Sequence, residues 1–189
     1  VYSGPCPYII DTVVTIGPIK VPCDLEIQKS SADVSLAGNI WVEGDFITDV
    51  GKPTIRVDAS LESKSVVVVA DDPLNRTTSS KIELRNGATF VNSGTEGSYV
   101  LLISQNNSAE SAGTEKAIDI TQSATGEFLV YAGHGEISIA QSASLREVTA
   151  YKISLSQSTE VIYKTGLASL LFTSGPGGGY AINDWEEIE

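Results

Sequence analysis

The sequence predicts an all-β fold, a parallel β-solenoid whose short strands wind into stacked coils. Three observations predict it. The β-branched residues Val, Ile and Thr make up about a quarter of the 189 residues, and such side chains are stiff at χ1 and suit a pleated surface. Short runs with apolar residues two apart recur along the chain, the period of a strand with one buried face. Tight-reversal signals are nearly missing: Asn86-Gly87 is the one Asn-Gly or Asp-Gly pair. A meander needs such a reversal at each hairpin, whereas the bends of a solenoid never reverse the chain. A β-sandwich is the alternative.

From the N-terminus, residues 1–33 read as an irregular cap. Val1 to Cys23 holds Pro5, Pro7, Pro18 and Pro22, which suit non-strand structure. Solenoids need covered ends, because terminal coils expose apolar faces and open strand edges. Residues 34–174 read as coils. Ile40-Trp41-Val42, Thr54-Ile55-Arg56-Val57, Lys81-Ile82-Glu83-Leu84 and Lys116-Ala117-Ile118-Asp119-Ile120 alternate, as do Glu136-Ile137-Ser138-Ile139 and Tyr151-Lys152-Ile153-Ser154-Leu155. Val66-Val67-Val68-Val69 is continuously apolar and predicts a strand covered on both sides. From Val130 to Leu171 the strand centres fall roughly every 7 to 9 residues. Pro73 to Ser80 and Gln105 to Glu115, rich in Asn, Ser, Thr and Gly, read as loops protruding from a corner. Thr165 to Phe172 is the best helix candidate, weakened by Gly166 and its serines. Residues 175–189 read as a C-terminal tail in which Tyr180, Ile182, Trp185 and Ile188 fold back over the open end. The chain is expected to form one domain over 1–189.

Composition restricts the function. The net charge of −12 disfavours phosphate-backbone binding, which needs Lys and Arg to displace counterions, and equally disfavours anionic membranes. No stretch approaches ~20 consecutive apolar residues, so no part of this segment is expected in a bilayer. Met is absent and the sequence begins at Val1, so any export signal or anchor is expected upstream. Cys6 and Cys23 are the two cysteines. An even count at one terminus suits a disulfide in an exported protein, and two free thiols in a reduced cytosol are the other reading. No metal site is expected: Cys-x-x-Cys is absent, one His cannot complete a zinc site, and no Asp-x-Asp-x-Asp-Gly loop exists. No cofactor is expected beyond Ca²⁺ held loosely at acidic corners.

Val34 to Phe172 resembles right-handed parallel β-helix domains. Leu36-Ala37-Gly38-Asn39-Ile40-Trp41-Val42-Glu43-Gly44-Asp45-Phe46 looks like one coil of a bactofilin-type or surface β-helix repeat. Thr165 to Gly179 is similar to the ends of extracytoplasmic domains that follow a prepilin-like N-terminal helix in bacteria. The resemblance implies a surface or pilus-associated structural domain. Its expected partners are other surface proteins or glycans. The cysteine pair separates the chain from the cytosolic bactofilin branch.

A second resemblance carries the enzymatic alternative. Thr48-Asp49, Asp71-Asp72 and Gly133-His134-Gly135 resemble motifs of polygalacturonases, β-helical glycoside hydrolases. It implies Asp71 and Asp72 as the carboxyl pair, one acid and one base, with His134 tuning the acid. Ile47 stands where that family has Asn, and Tyr151-Lys152-Ile153 is the nearest counterpart of its Arg-Ile-Lys clamp. The net charge would repel a polyanionic substrate. Read from the residues alone, Asp71-Asp72-Pro73 is a turn ending a strand and His134 is a polar corner residue. Tyr99, Tyr131, Tyr151 and Tyr163 offer a sugar-binding ladder if they fall in register, and core or corner fillers if they do not.

Overall fold

A computed structural model describes residues 1–162 and the short strand Leu171–Phe172. The expected alternation is realised as a winding of short strands over three faces. The first coil is β1 (Tyr8–Ile10), β2 (Val13–Ile16) and β3 (Ile19–Val21). The second is β4 (Leu25–Ile27), β5 (Asp33–Leu36) and β6 (Ile40–Val42). The third is β7 (Phe46–Thr48), β8 (Thr54–Val57) and β9 (Lys64–Ala70), with a 3-10 turn at Ala59–Leu61 before β9. The fourth is β10 (Ile82–Leu84), β11 (Thr89–Val91) and β12 (Val100–Ser104). In later coils the third face runs into the next first face as one strand. β13 (Lys116–Ile120), β14 (Thr125–Gly126) and the start of β15 (Phe128–Ile139) make the fifth coil. The rest of β15, β16 (Ser144–Leu145) and the start of β17 (Glu147–Leu155) make the sixth. The end of β17 and β18 (Glu160–Val161) begin a seventh.

Every described strand pairing is parallel, which sets aside the sandwich. The first-face register runs Tyr8, Leu25, Phe46, Ile82, Ile118, Ile137, Ile153, one residue per coil. The second face runs Val14, Val34, Ile55, Phe90, Gly126, and the third runs Ile19, Ile40, Val68, Leu102, Val130, Val148. Through the sixth coil these columns build one continuous core in which Ile55, Ile82, Leu102, Ile118 and Ile137 are all buried, while Ile153 of the seventh coil is exposed. The solenoid is therefore a stack of like on like, each coil hydrogen-bonded to the next along the axis.

Residues 1–33, expected as an irregular cap, differ from that expectation. They carry β1 to β4 and join the ladder from Tyr8 onward. Pro5 and Pro7 precede β1, and Pro18 and Pro22 fall between strands, where no ladder N–H is required. What closes this end is smaller: Tyr2 stacks on Tyr8 with ring centroids 4.0 Å apart, and its backbone N–H donates to the Lys20 carbonyl at 2.8 Å. Cys6 and Cys23 form the disulfide, joining the lead-in of the first coil to the start of the second. Closing a loop of that length predicts that Cys6→Ala with Cys23→Ala lowers stability by about 3 kcal/mol. Urea unfolding of the double variant checks this, and an unchanged midpoint would refute it.

From the fourth coil on, the corner between the first and second faces is made by pairs of left-handed residues. Asn86 and Gly87 have φ of 60 and 76°, Gln122 and Ser123 have 65 and 58°, Gln141 and Ser142 have 57 and 61°, and Gln157 and Ser158 have 55 and 59°. Asn86-Gly87 is thus a corner between two faces, and no hairpin forms there. Left-handed backbone costs a non-Gly residue roughly 1–2 kcal/mol. Hydrogen bonds between stacked corners offset part of that: the Ser123 N–H donates to the Gln141 carbonyl, and the Ser142 N–H to the Gln157 carbonyl, both at 2.9 Å. No helix among the described residues is long and apolar enough to cross a membrane. Of the helix candidate at 165–172, Leu171–Phe172 is β19, paired with Lys64 and Ser65 of β9. The rest of it, the tail at 175–189 and Tyr163 lie outside the described residues.

Candidate functional site

The chain turns from the third face to the first at a corner that is tight after the first two coils, elaborated after the third and fourth, and tight again after the fifth and sixth. Between β9 and β10 it projects the loop 71–81, and between β12 and β13 the loop 105–115. Within β15 the same corner is only Gly133-His134-Gly135, where the register shifts. Asp71, Asp72 and His134 therefore share one corner of the solenoid. Two coils separate the aspartates from the histidine.

Each of the three is engaged locally. Asp71 accepts a bidentate pair from Arg76, at 2.8 Å from Nε and 3.1 Å from Nη2. Asp72 caps the turn that follows it, its Oδ1 accepting from the Leu74 N–H at 3.1 Å and its Oδ2 from Asn75 Nδ2 at 2.9 Å. This is the local side-chain-to-backbone bonding that makes Asp a turn former. His134 is exposed, its Nδ1 2.8 Å from Glu110 Oε2, and the Glu110 N–H donates to the His134 carbonyl at 3.1 Å. The glycine after it has a packing reason. A Cβ on Gly135 would lie 2.7 Å from the Asn106 carbonyl oxygen and overlap the Ala117 side chain.

Beneath these exposed groups lies a buried polar spine. The Ser104 hydroxyl donates to the Ser80 carbonyl at 2.6 Å and accepts the Asn106 N–H at 3.1 Å. Asn106, fully buried, donates from Nδ2 to the Ser79 carbonyl at 2.8 Å and accepts the Ser108 N–H at 3.0 Å. The Asn107 N–H donates to the Arg76 carbonyl at 3.0 Å. Burying polar atoms costs free energy unless each is bonded, and no described buried side-chain polar atom lacks a partner. The spine clamps the two loops together and sets the spacing of what they display.

Charge is organised across coils. Arg56 pairs with Asp33 at 2.7 and 2.6 Å, Arg146 with Glu127 at 3.1 and 2.8 Å, and Lys152 with Glu136 at 2.8 Å, each cation meeting an acid one coil earlier. Lys152, then Ser154, hold the Glu136 carboxyl below its ordinary value. Hydrogen bonds from Ser60 and Ser35 do the same for Asp58. Burial raises Asp45, against opposing hydrogen bonds from the Lys81 N–H and Ser79. Burial disfavours the charged Lys81, yet Glu115, Asp45 and Glu83 outweigh it and raise its value. Lys81, Glu83, Thr114, Glu115, Lys116 and Asp119 line an open depression on the first face, which Asp71, Asp72 and His134 do not line. Among the described residues no three His, Cys, Asp or Glu side chains converge as a metal site.

These shifts have a sign. A depressed carboxyl stabilises the fold above its unfolded-state pKa and loses that contribution as pH falls through its lower folded value. Glu136 and Asp58 therefore weaken the fold below the usual carboxylate range, while Asp45, raised in the fold, works the other way. Glu136→Gln is expected to cost less than about 1 kcal/mol at pH 7, as a half-exposed pair does, and to flatten the acid limb of a plot of Tm against pH. An unchanged acid limb would contradict the assignment.

The aromatic ladder is not in register. Tyr131 pairs with Ile103 and Thr149, Tyr99 is buried, and Tyr151 lies in the irregular stretch of β17. One signal escaped the reading of the sequence. Ile82-x-Leu84-x-Asn86-Gly87-Ala88 is followed by Ile118-x-Ile120-x-Gln122-Ser123-Ala124, Ile137-x-Ile139-x-Gln141-Ser142-Ala143 and Ile153-x-Leu155-x-Gln157-Ser158-Thr159. This is a strand-and-corner repeat that marks the start of four coils, with Ala88, Ala124 and Ala143 fully buried inside the corner. No protein-family model, curated protein or solved structure matches this chain.

Proposed function

We propose that this chain is a non-enzymatic structural module of the cell exterior, a right-handed β-helix that serves as a stiff spacer and presents its sides for adhesion or assembly. The observation that carries the reading is the combination of a disulfide at one end with an unbroken hydrogen-bonded stack of coils. A disulfide persists in oxidising compartments. A solenoid bends little, because flexing it strains ladder bonds and interdigitated columns in every coil at once. The loops 71–81 and 105–115, clamped by the buried spine, supply a variable contact surface on that rod. Other surface or pilus proteins, or glycans, are its partners in this reading.

A second reading, glycoside hydrolysis, is favoured by one observation: Asp71, Asp72 and His134 occupy the same corner. Against it, Asp71 is held by Arg76 and Asp72 is spent on a turn. Two measurements test the pair of readings. Labelling of intact native cells with a membrane-impermeant reagent is expected to reach the protein with Cys6 and Cys23 oxidised. Labelling only after lysis, with both thiols free, would refute the exterior role. Incubation with polygalacturonate is expected to give no turnover. Turnover abolished by Asp72→Asn would replace the structural reading with the enzymatic one.

A further inference from the structure

The three faces differ on their outer sides. The first presents Ile9, Glu26, Ile47, Glu83, Asp119 and Ser138 outward, and the second Val13, Asp33, Thr54 and Thr89, so both mix apolar with polar residues. The third is the most apolar. Its outward column runs Lys20, Trp41, Val69, Ile103, Tyr131, Thr149. Trp41 and Tyr131 are 39% and 42% exposed, large values for aromatic rings on a rigid sheet. A parallel column runs Val67, Leu101, Leu129, Glu147, and Leu129 forms a small cluster with Tyr99 and Leu101 outside the main core. A continuous apolar strip on a strongly acidic chain marks an interaction surface.

We propose that this outer strip is a dimer interface whose occupant is a second copy of this chain, docked face to face and antiparallel about a twofold axis. The ends of the strip favour this arrangement. Lys20 stands at one end, between Glu43 and the Trp41 ring. Glu147 stands at the other and has no cation partner among the described residues, only the Thr149 hydroxyl at 3.3 Å. An antiparallel twofold places the Lys20 end of each copy on the Glu147 end of its mate, Trp41 opposite Tyr131, and Val69 opposite Ile103 at the centre. A parallel arrangement would set like charge on like. Isologous contacts of this kind close on themselves, so a dimer forms and no filament grows. Two flat sheets packing at the usual spacing of about 10 Å bury the central aliphatic residues, while the charges remain at the rim. A sugar is a poorer fit: the Lys20 ammonium lies 4.5 Å from the Trp41 centroid and occupies the ring face on which a pyranose would stack.

The inference does not depend on where the protein resides. Its test is light scattering and sedimentation of the full chain across a concentration series. The expected result is a dimer that Ile103→Lys weakens at least about a hundredfold, by burying a charge at the centre, with far-UV circular dichroism unchanged. Glu147→Lys is expected to weaken the dimer by facing Lys20, and Lys20→Glu in the same chain to restore it. A wild-type monomer at every concentration, with the strip left free or covered by its own chain, overturns the proposal. So does a dimer that Ile103→Lys leaves intact. A Glu147→Lys defect that Lys20→Glu does not repair overturns the antiparallel geometry.

Discussion

Replacing Gly126 with alanine is expected to destabilise the protein by about 4 kcal/mol or more, at the far end of what single substitutions do. Gly126 lies in β14, in register with Phe90 of β11, at a φ of +124°. A Cβ there would fall inside the van der Waals envelope of the Phe90 carbonyl oxygen, with the Phe90 backbone nitrogen 3.0 Å away. The neighbours are backbone atoms, so no rotamer change relieves the overlap. Nor can the strands part, because the Thr125 N–H donates to the Ala88 carbonyl at 3.1 Å and the Glu127 N–H to the Phe90 carbonyl at 3.0 Å. Gly94→Ala is the control: it also has positive φ, but nothing lies within 4 Å of its added carbon, so it carries backbone strain alone. Equal urea midpoints for the two variants would show that the close approach at Gly126 does not matter.

Phe128→Ala is expected to cost 3–5 kcal/mol, the usual range for truncating a buried Phe. Phe128 is fully buried and stacks on Phe90, with centroids 4.4 Å apart and planes 27° from parallel. The two rings come from different faces of successive coils, and they meet where Gly126 contributes no side chain to the inward column. The cavity left by Phe128→Ala is bounded by ladder strands that cannot collapse inward without breaking register. Phe128→Leu, which keeps most of the volume, is expected to cost less than about 1.5 kcal/mol. If the two variants melt alike, packing at this point is not what holds the fifth coil on the fourth.

Several elements were legible because they rest on local chemistry. The runs at 40–42, 54–57, 82–84 and 116–120 are strands as their alternation requires. Val66 to Val69 lies in a strand, but its outward Val67 and Val69 are half-buried where the continuous apolar run predicts cover on both sides. The loops at 73–80 and 105–115 project where Asn, Ser and Gly accumulate. Asn86-Gly87 was legible as left-handed backbone but not as a corner, since the same dihedrals serve a hairpin or a bend. Residues 1–33 carry strands that the sequence hides, because prolines beside strands look, in one dimension, like prolines instead of strands.

The sequence by itself determined the strand content, the parallel stacking and the cysteine pair, because side-chain alternation, scarce reversals and residue counts are properties of the chain alone. Tertiary structure decided which residues share a column. Coils of unequal length, stretched by the two inserted loops, make register impossible to count along the chain. Only the closed stack shows that Trp41, Val69, Ile103 and Tyr131 form one outer strip, that Asp71, Asp72 and His134 share a corner two coils apart, and that Tyr99, Tyr131 and Tyr151 make no ladder. Register is fixed by burial summed over every coil at once: slipping one strand by one residue would turn its whole apolar set to water.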